Sequence, residues 1–149
     1  MYDSKNDTMD HINVVRRILF TIIRELETRA EAHDMSKLGP QEKLIFDEYT
    51  PKLKDSTYGS EAYKKFLIGM GPALVHHYAN NRHHPEHYEN EIKGMNIIDL
   101  VEMFCDWKAA TLRHADGDLA KSVDINKARF GYGDDLLCIF RNSINIFDE

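Results

Sequence analysis

Apolar side chains recur along this chain at three- and four-residue steps, and no segment alternates apolar and polar residues convincingly. Ile12, Val15, Leu19, Ile22, Ile23 and Leu26 form the first series and predict an amphipathic helix, with Thr8 or Asp10 placed to cap its start. A second helical stretch is expected over about 28–37, broken by Gly39-Pro40. Pro40 suits the first turn of a third helix that carries Leu44, Ile45 and Phe46 and ends at Thr50-Pro51. Residues 52–59 read as a loop, after which Ser60 caps a helix through Tyr63, Phe66 and Leu67. Gly69 to Pro72 stop that helix, and Pro72 starts another that carries His76, His77 and Tyr78 toward Pro85. The stretch 85–94 is polar and loop-like. Asn96, with Asp99 three residues on, predicts an N-cap with an acid at N3. The helix it opens, to about residue 114, is apolar on nearly every side and is expected to be the buried central one. Asp116-Gly117 turns the chain into a helix over Leu119 to Phe130, and Gly131 and Gly133 precede a last helix through Ile144. The prediction is an all-α fold, a bundle of about six to seven helices in one domain spanning 1–149.

A length of 149 residues is enough for one self-sufficient core, and 42% hydrophobic with 30% charged residues is ordinary for a globular protein. The net charge of -6 argues against binding a nucleic-acid polymer, which needs clustered Lys and Arg. A small phosphorylated ligand stays compatible, because divalent cations reverse the local field. Cys105 and Cys138 make no CxxC pattern, so neither a disulfide framework nor a thiolate zinc site is expected, and a reducing cytoplasm is the expected setting. The polar, acidic N-terminus has no signal-peptide character, and no apolar run reaches the roughly 20 residues of a membrane span.

The histidines change the picture. Of the 8 in the chain, His76, His77, His83, His84 and His87 fall within one short stretch. Together with His11, the pair His33-Asp34 and Asp106, they supply a mixed imidazole and carboxylate set that suits Mn, Fe, Zn, Ni or Co and hydrolytic chemistry. Adjacent His33 and Asp34 point about 100° apart on a helix and can face one pocket lying between them. His11 and His33 are 22 positions apart, about 33 Å along a straight helix, so a shared ion requires a break between roughly Arg24 and Arg29. Asp106 lies mid-helix, where a carboxylate is costly unless paired or bound to a metal. The alternative for it is a structural salt bridge to Arg16, Arg29 or a lysine. Asp99 has a simpler explanation as a capping acid. His77 and His84, seven positions apart and about 10.5 Å on an ideal helix, can meet at one ion only if the helix ends before Pro85. His76 and His87 are the two expected to be ordinary surface or core imidazoles.

His11 with Val15, then HDMSK (His33 to Lys37), then FCDWKAAT around Asp106 resemble, in that order, the H…HD…D signature of HD-domain metal-dependent phosphohydrolases. HDMSK is similar to the HDxGK form of HD-GYP phosphodiesterases, and RHHPEHYE (Arg82 to Glu89) to their HHE segment, although the GYP part is missing. The resemblance covers residues 8 to 113 and selects Asp106 over Asp99. More narrowly, RAxxHDxSKL, HHYxxNxHHPEH and EMxCDWKAATxRHxxGD resemble a small family of phages and bacteria that carries no established activity. It implies that His77, Asn81, His84, Arg113, His114 and Asp118 belong to the site region.

The resemblance implies an HD-like helical bundle whose metal ligands are His11, His33, Asp34 and Asp106. Binding of one or two divalent ions (Mn, Fe, Zn, Co, Ni or Mg) is implied, with His77, His83 and His84 holding a second. Asp34 and Lys37 would be catalytic. Lys37, Arg82, Lys108 and Arg113 would bind a nucleotide or another small phosphate ester, which a metal-activated hydroxide attacks. Tyr58 and Tyr78 are placed to stack on a base. A homo-oligomer is compatible, whereas a membrane or nucleic-acid polymer is not expected as a partner. Two other classes remain: a di-iron oxygenase built on a similar ligand set, and a non-catalytic protein that sequesters a nucleotide or inhibits a host partner.

Overall fold

A computed structural model describes residues 2–57, 59–113 and 117–147. Every regular element among them is helical: six α-helices, with 3₁₀ turns between the first and second, between the third and fourth, and after the sixth. The chain divides into two compact units, residues 1–33 and 34–149.

The first unit is one helix, α1 (Lys5–Ala32), which runs without interruption. The break expected between Arg24 and Arg29 is absent, and so is the separate second helix over 28–37. The physical reason is the lack of any breaker: no Gly or Pro precedes Gly39. The β-branched hydroxyls are satisfied within the helix, Thr21 donating to the Arg17 carbonyl at 3.2 Å and Thr28 to that of Arg24 at 3.0 Å. The N-cap is Ser4, which makes no side-chain capping bond, rather than Thr8 or Asp10. His33 closes the helix at φ -52, ψ 123. None of the residues of α1 is buried.

The second unit opens with Asp34 in the left-handed region (φ 58), which Asp tolerates better than most residues, and a 3₁₀ turn over Met35–Leu38 follows. Next come α2 (Lys43–Lys54) and α3 (Glu61–Asn80), packed on each other. Thr50-Pro51 does not end α2. Pro51 removes one interior hydrogen bond, yet the last turn closes behind it through Asp55 N to Pro51 O at 3.1 Å. Ser60 does cap α3, accepting from Tyr63 N at 3.1 Å. The stop expected at Gly69 to Pro72 is a kink: Gly71 adopts φ 40, ψ -118, open to glycine, and Pro72 begins the second half.

After the turns over 85–94 come α4 (Ile97–Thr111), α5 (Leu119–Phe130) and α6 (Asp134–Ser143). The start of α4 is a full capping box: Asn96 accepts from Ile98 N and Asp99 N, while Asp99 accepts from Asn96 N at 2.9 Å. Its burial is one-sided: Met103, Phe104 and Trp107 face the core, whereas Ile97 and Leu112 are exposed. The core lies between α4, α5 and α6, where Phe104 stacks on Phe140 and Trp107 meets Tyr132 around Val123 and Leu137. Cys105 and Cys138 are both free. Among the described residues, no helix is long and apolar enough to cross a membrane.

Candidate metal centre

Three local features bring chemistry together in the second unit. The left-handed turn at Asp34 swings the chain out of helical geometry. α3 then presents His77, 1% exposed, on its inner face. Finally α3 ends at Asn80, Asn81 is extended (φ -125, ψ 103), and a turn closed by His84 N to Asn81 O at 3.3 Å leads to Pro85. That ending folds His83 and His84 back toward His77, as the seven-residue spacing demanded. The Nε2 atoms of His77 and His84 come to 2.9 Å. Asp34 Oδ1 lies 3.2 Å from His77 Nε2 and 3.6 Å from His83 Nε2.

One ligand atom from each of Asp34, His77, His83 and His84 lies within 4.8 Å of every other. Around an ion with bonds of about 2.0–2.1 Å in tetrahedral array, neighbouring ligand atoms are about 3.3 Å apart, close to the spacings found here. Three imidazoles and one carboxylate therefore fit a borderline transition metal better than Mg or Ca, which prefer all-oxygen shells. Asp106, half-buried on α4, brings a carboxylate oxygen within 4.8 Å of one on Asp34.

Protonation supports the same fit. An ionised carboxylate only accepts, so an imidazole nitrogen facing one carries its hydrogen there and leaves the other nitrogen bare. His77 Nδ1 faces Glu42 Oε2 at 2.9 Å, and His83 Nδ1 faces Glu102 Oε1 at 3.0 Å. A metal on His77 Nε2 would leave the ring's proton on Nδ1, where Glu42 Oε2 accepts it, the arrangement that metal-binding histidines take from an outer carboxylate. Burial, and then the neighbouring His83 and His77 rings, push His84 down to about 3 against the opposing pull of Asp106 and Asp34. It is therefore neutral at physiological pH. Burial works to raise the Glu42 carboxyl, but hydrogen bonds from His76, Ser36 and His77 outweigh it and hold the group below its ordinary value. Phe46 and Tyr78 wall the cluster, Phe46 edge-on to His77 at 5.4 Å and Tyr78 against His84 at 4.9 Å between ring centroids.

The other sequence candidates separate clearly. His11 lies on α1, 22 residues from His33 along an unbroken helix and so about 33 Å away. The two cannot share an ion within one chain, and among the described residues His11 belongs to no group of three possible ligands. The histidines assigned to a second metal instead join Asp34 in one four-residue group. Lys37 is ion-paired with Asp34 Oδ2, its ammonium 5.1 Å over the Phe46 ring. Arg82 holds the start of α4 instead of facing the cluster. Its Nε and Nη2 each donate to Asp99 at 3.1 Å, joined by the Tyr88 hydroxyl at 2.7 Å. That pairing, with the capping box, also accounts for Asp99. Lys108 is half-buried on α4, and Arg113 is exposed just past its end. Asn81 donates to Ser36 Oγ and to the His77 carbonyl, each at 2.7 Å, and Asp118 caps α5. His76 pairs with Glu42 and His87 with the Tyr78 carbonyl, so neither contributes to the ligand group. His114 and Tyr58 lie outside the described residues.

Sequence reasoning missed Ser36, Glu42 and Glu102. Glu102 carried a usable signal, being one helical turn before Asp106. Ser36 sits inside HDMSK, but Glu42 follows Gly39-Pro40 with nothing to mark it. No curated protein and no solved structure matches the chain. A family model described as "Family of unknown function (DUF5662)" matches residues 1–144. Since that match spans nearly the whole sequence, the protein belongs to the DUF5662 family.

Proposed function

We propose that this protein is a metal-dependent phosphohydrolase acting on a nucleotide or another small phosphate ester, with its ion at Asp34, His77, His83 and His84. The observation that carries this reading is the gathering of three imidazole nitrogens and one carboxylate oxygen within a single ligand sphere. A bound divalent ion supplies Lewis acidity and brings the pKa of a coordinated water toward neutrality. Asp34 and the three histidines hold the ion, and Asp106 adds a second carboxylate beside Asp34. Lys37, held at Asp34, is placed to offset negative charge on a phosphate oxygen. Phe46 and Tyr78 exclude water from one side. The choice of phosphate esters draws on the order of the HD pair, histidine group and late Asp, which resembles HD phosphohydrolases. The acidic net charge fits a small substrate better than a polymer.

The test is a screen of purified protein, reconstituted with Mn, Fe, Co, Ni or Zn, against nucleoside mono-, di-, tri- and cyclic phosphates. Release of phosphate that disappears in Asp34→Ala is the expected result. Activity unchanged in that variant removes the proposal, and metal loading with tight nucleotide binding but no turnover replaces the hydrolase by a binding protein.

A further inference from the structure

We infer that Glu42 is the positioning residue of the metal centre. Its carboxylate fixes the proton of His77 on Nδ1 and ties the turn that carries Asp34 to α3. The inference rests on the metal reading above and goes beyond it by naming what sets the strength of that site.

Glu42 is fully buried, at 0% exposure, immediately before α2. It makes three contacts that divide between two ligand-bearing segments. Oε2 accepts from His77 Nδ1 at 2.9 Å and from Ser36 Oγ at 3.1 Å, and Oε1 meets His76 Nδ1 at 2.6 Å. Ser36 stands two residues after Asp34 in the same turn, and Asn81 reaches back to it from the far end of α3. One carboxylate thus spans the Asp34 turn and α3, the two places that must keep a fixed separation for Asp34 Oδ1 and His77 Nε2 to share an ion. Glu102 Oε1 lies 3.0 Å from His83 Nδ1, but it reaches the cluster from a single helix.

The chemistry of the carboxylate is what matters, because three donors converge on it. A glutamine of the same shape offers one oxygen and one NH₂ group. It cannot accept on both edges, so an imidazole facing its NH₂ must present a bare Nδ1 and carry its proton on Nε2. With the NH₂ toward His77 a hydrogen sits where the metal should bind, and with the NH₂ toward His76 the negative charge that makes His77 a stronger ligand is gone. Outer partners of this kind change metal affinity by roughly 10–100-fold.

The experiment measures Zn2+ and Co2+ affinity by competition titration for the native protein, Glu42→Gln, Asp34→Ala and the surface control Glu61→Gln. The expected result is a loss of roughly 10–100-fold in Glu42→Gln, a shifted Co2+ visible spectrum, and no change in Glu61→Gln. A second measurement needs no variant and decides the matter if Glu42→Gln fails to fold. In the zinc-loaded native protein, long-range 1H–15N spectra are expected to find the His77 proton on Nδ1. Native-like affinity in Glu42→Gln, or a His77 proton on Nε2, overturns the inference. If Asp34→Ala loses the metal while Glu42→Gln keeps it, the centre stands and only this role for Glu42 falls. A native protein that binds neither ion overturns both.

Discussion

α1 and the stretch from Asp34 to His84 carry the same kinds of residue, and the chain treats them oppositely. α1 holds His11 about 33 Å from the His33 that closes it, because every residue between them continues the helix. The later stretch changes direction at a left-handed Asp34, at the glycine kink of α3 and at the extended exit from Asn81. Those departures from regular geometry bring four ligand atoms within 4.8 Å. Convergence comes from where the backbone stops being regular, and the number of histidines alone does not supply it.

The largest effect expected from this contrast is on metal affinity. His83→Ala and His77→Ala should each weaken Zn2+ binding by more than roughly 100-fold, beyond what losing an outer partner does. His11→Ala should leave affinity within about twofold, since α1 holds it a full helix length from His33. Competition titration of the three variants checks this. If His11→Ala lost as much as His83→Ala, the contrast would break, and His11 would have to reach the ion from another copy of the chain.

The sequence made part of this contrast visible. Helical periodicity and caps placed α5 at its observed limits and marked Ser60 and Asn96 as N-caps, because those signals are local. Folding back of the histidine group was also legible, as seven residues on a straight helix are too far apart for one ion. A shared ion at His11 and His33 requires a break within Lys5–Ala32, and that segment contains no breaker. Pro51 is the converse case, since α2 absorbs one lost hydrogen bond near its end. Glu42 was illegible because its role depends on α2, α3 and the Asp34 turn meeting in space, and spacing along the chain does not encode that.

Glycine exchange should sharpen the contrast at the level of stability. Gly71→Ala forces a Cβ onto φ 40, ψ -118, and nothing lies within 4 Å of that added atom, so the cost is backbone strain alone, about 1–3 kcal/mol. Ala30→Gly on exposed α1 should cost about 1 kcal/mol for the opposite reason, because glycine loosens a helix that needs none. Urea unfolding of both variants provides the comparison. A Gly71→Ala protein as stable as the native one would mean that α3 does not need its kink, and with it the bent path to His77.

Capping gives the smallest and most local version of the same test. α4 begins with a reciprocal box between Asn96 and Asp99, whereas Ser4 makes no side-chain bond at the start of α1. Asn96→Ala should therefore cost about 1 kcal/mol in urea unfolding, and Ser4→Ala close to nothing. The box also sets the phase of α4, and with it the side from which Glu102 meets His83 and Asp106 meets Asp34. Some weakening of Zn2+ binding is accordingly expected in Asn96→Ala and none in Ser4→Ala. Equal stability losses in the two variants would show that α1 is anchored at its start as firmly as α4, and the distinction between a plain helix and a positioned one would fail there.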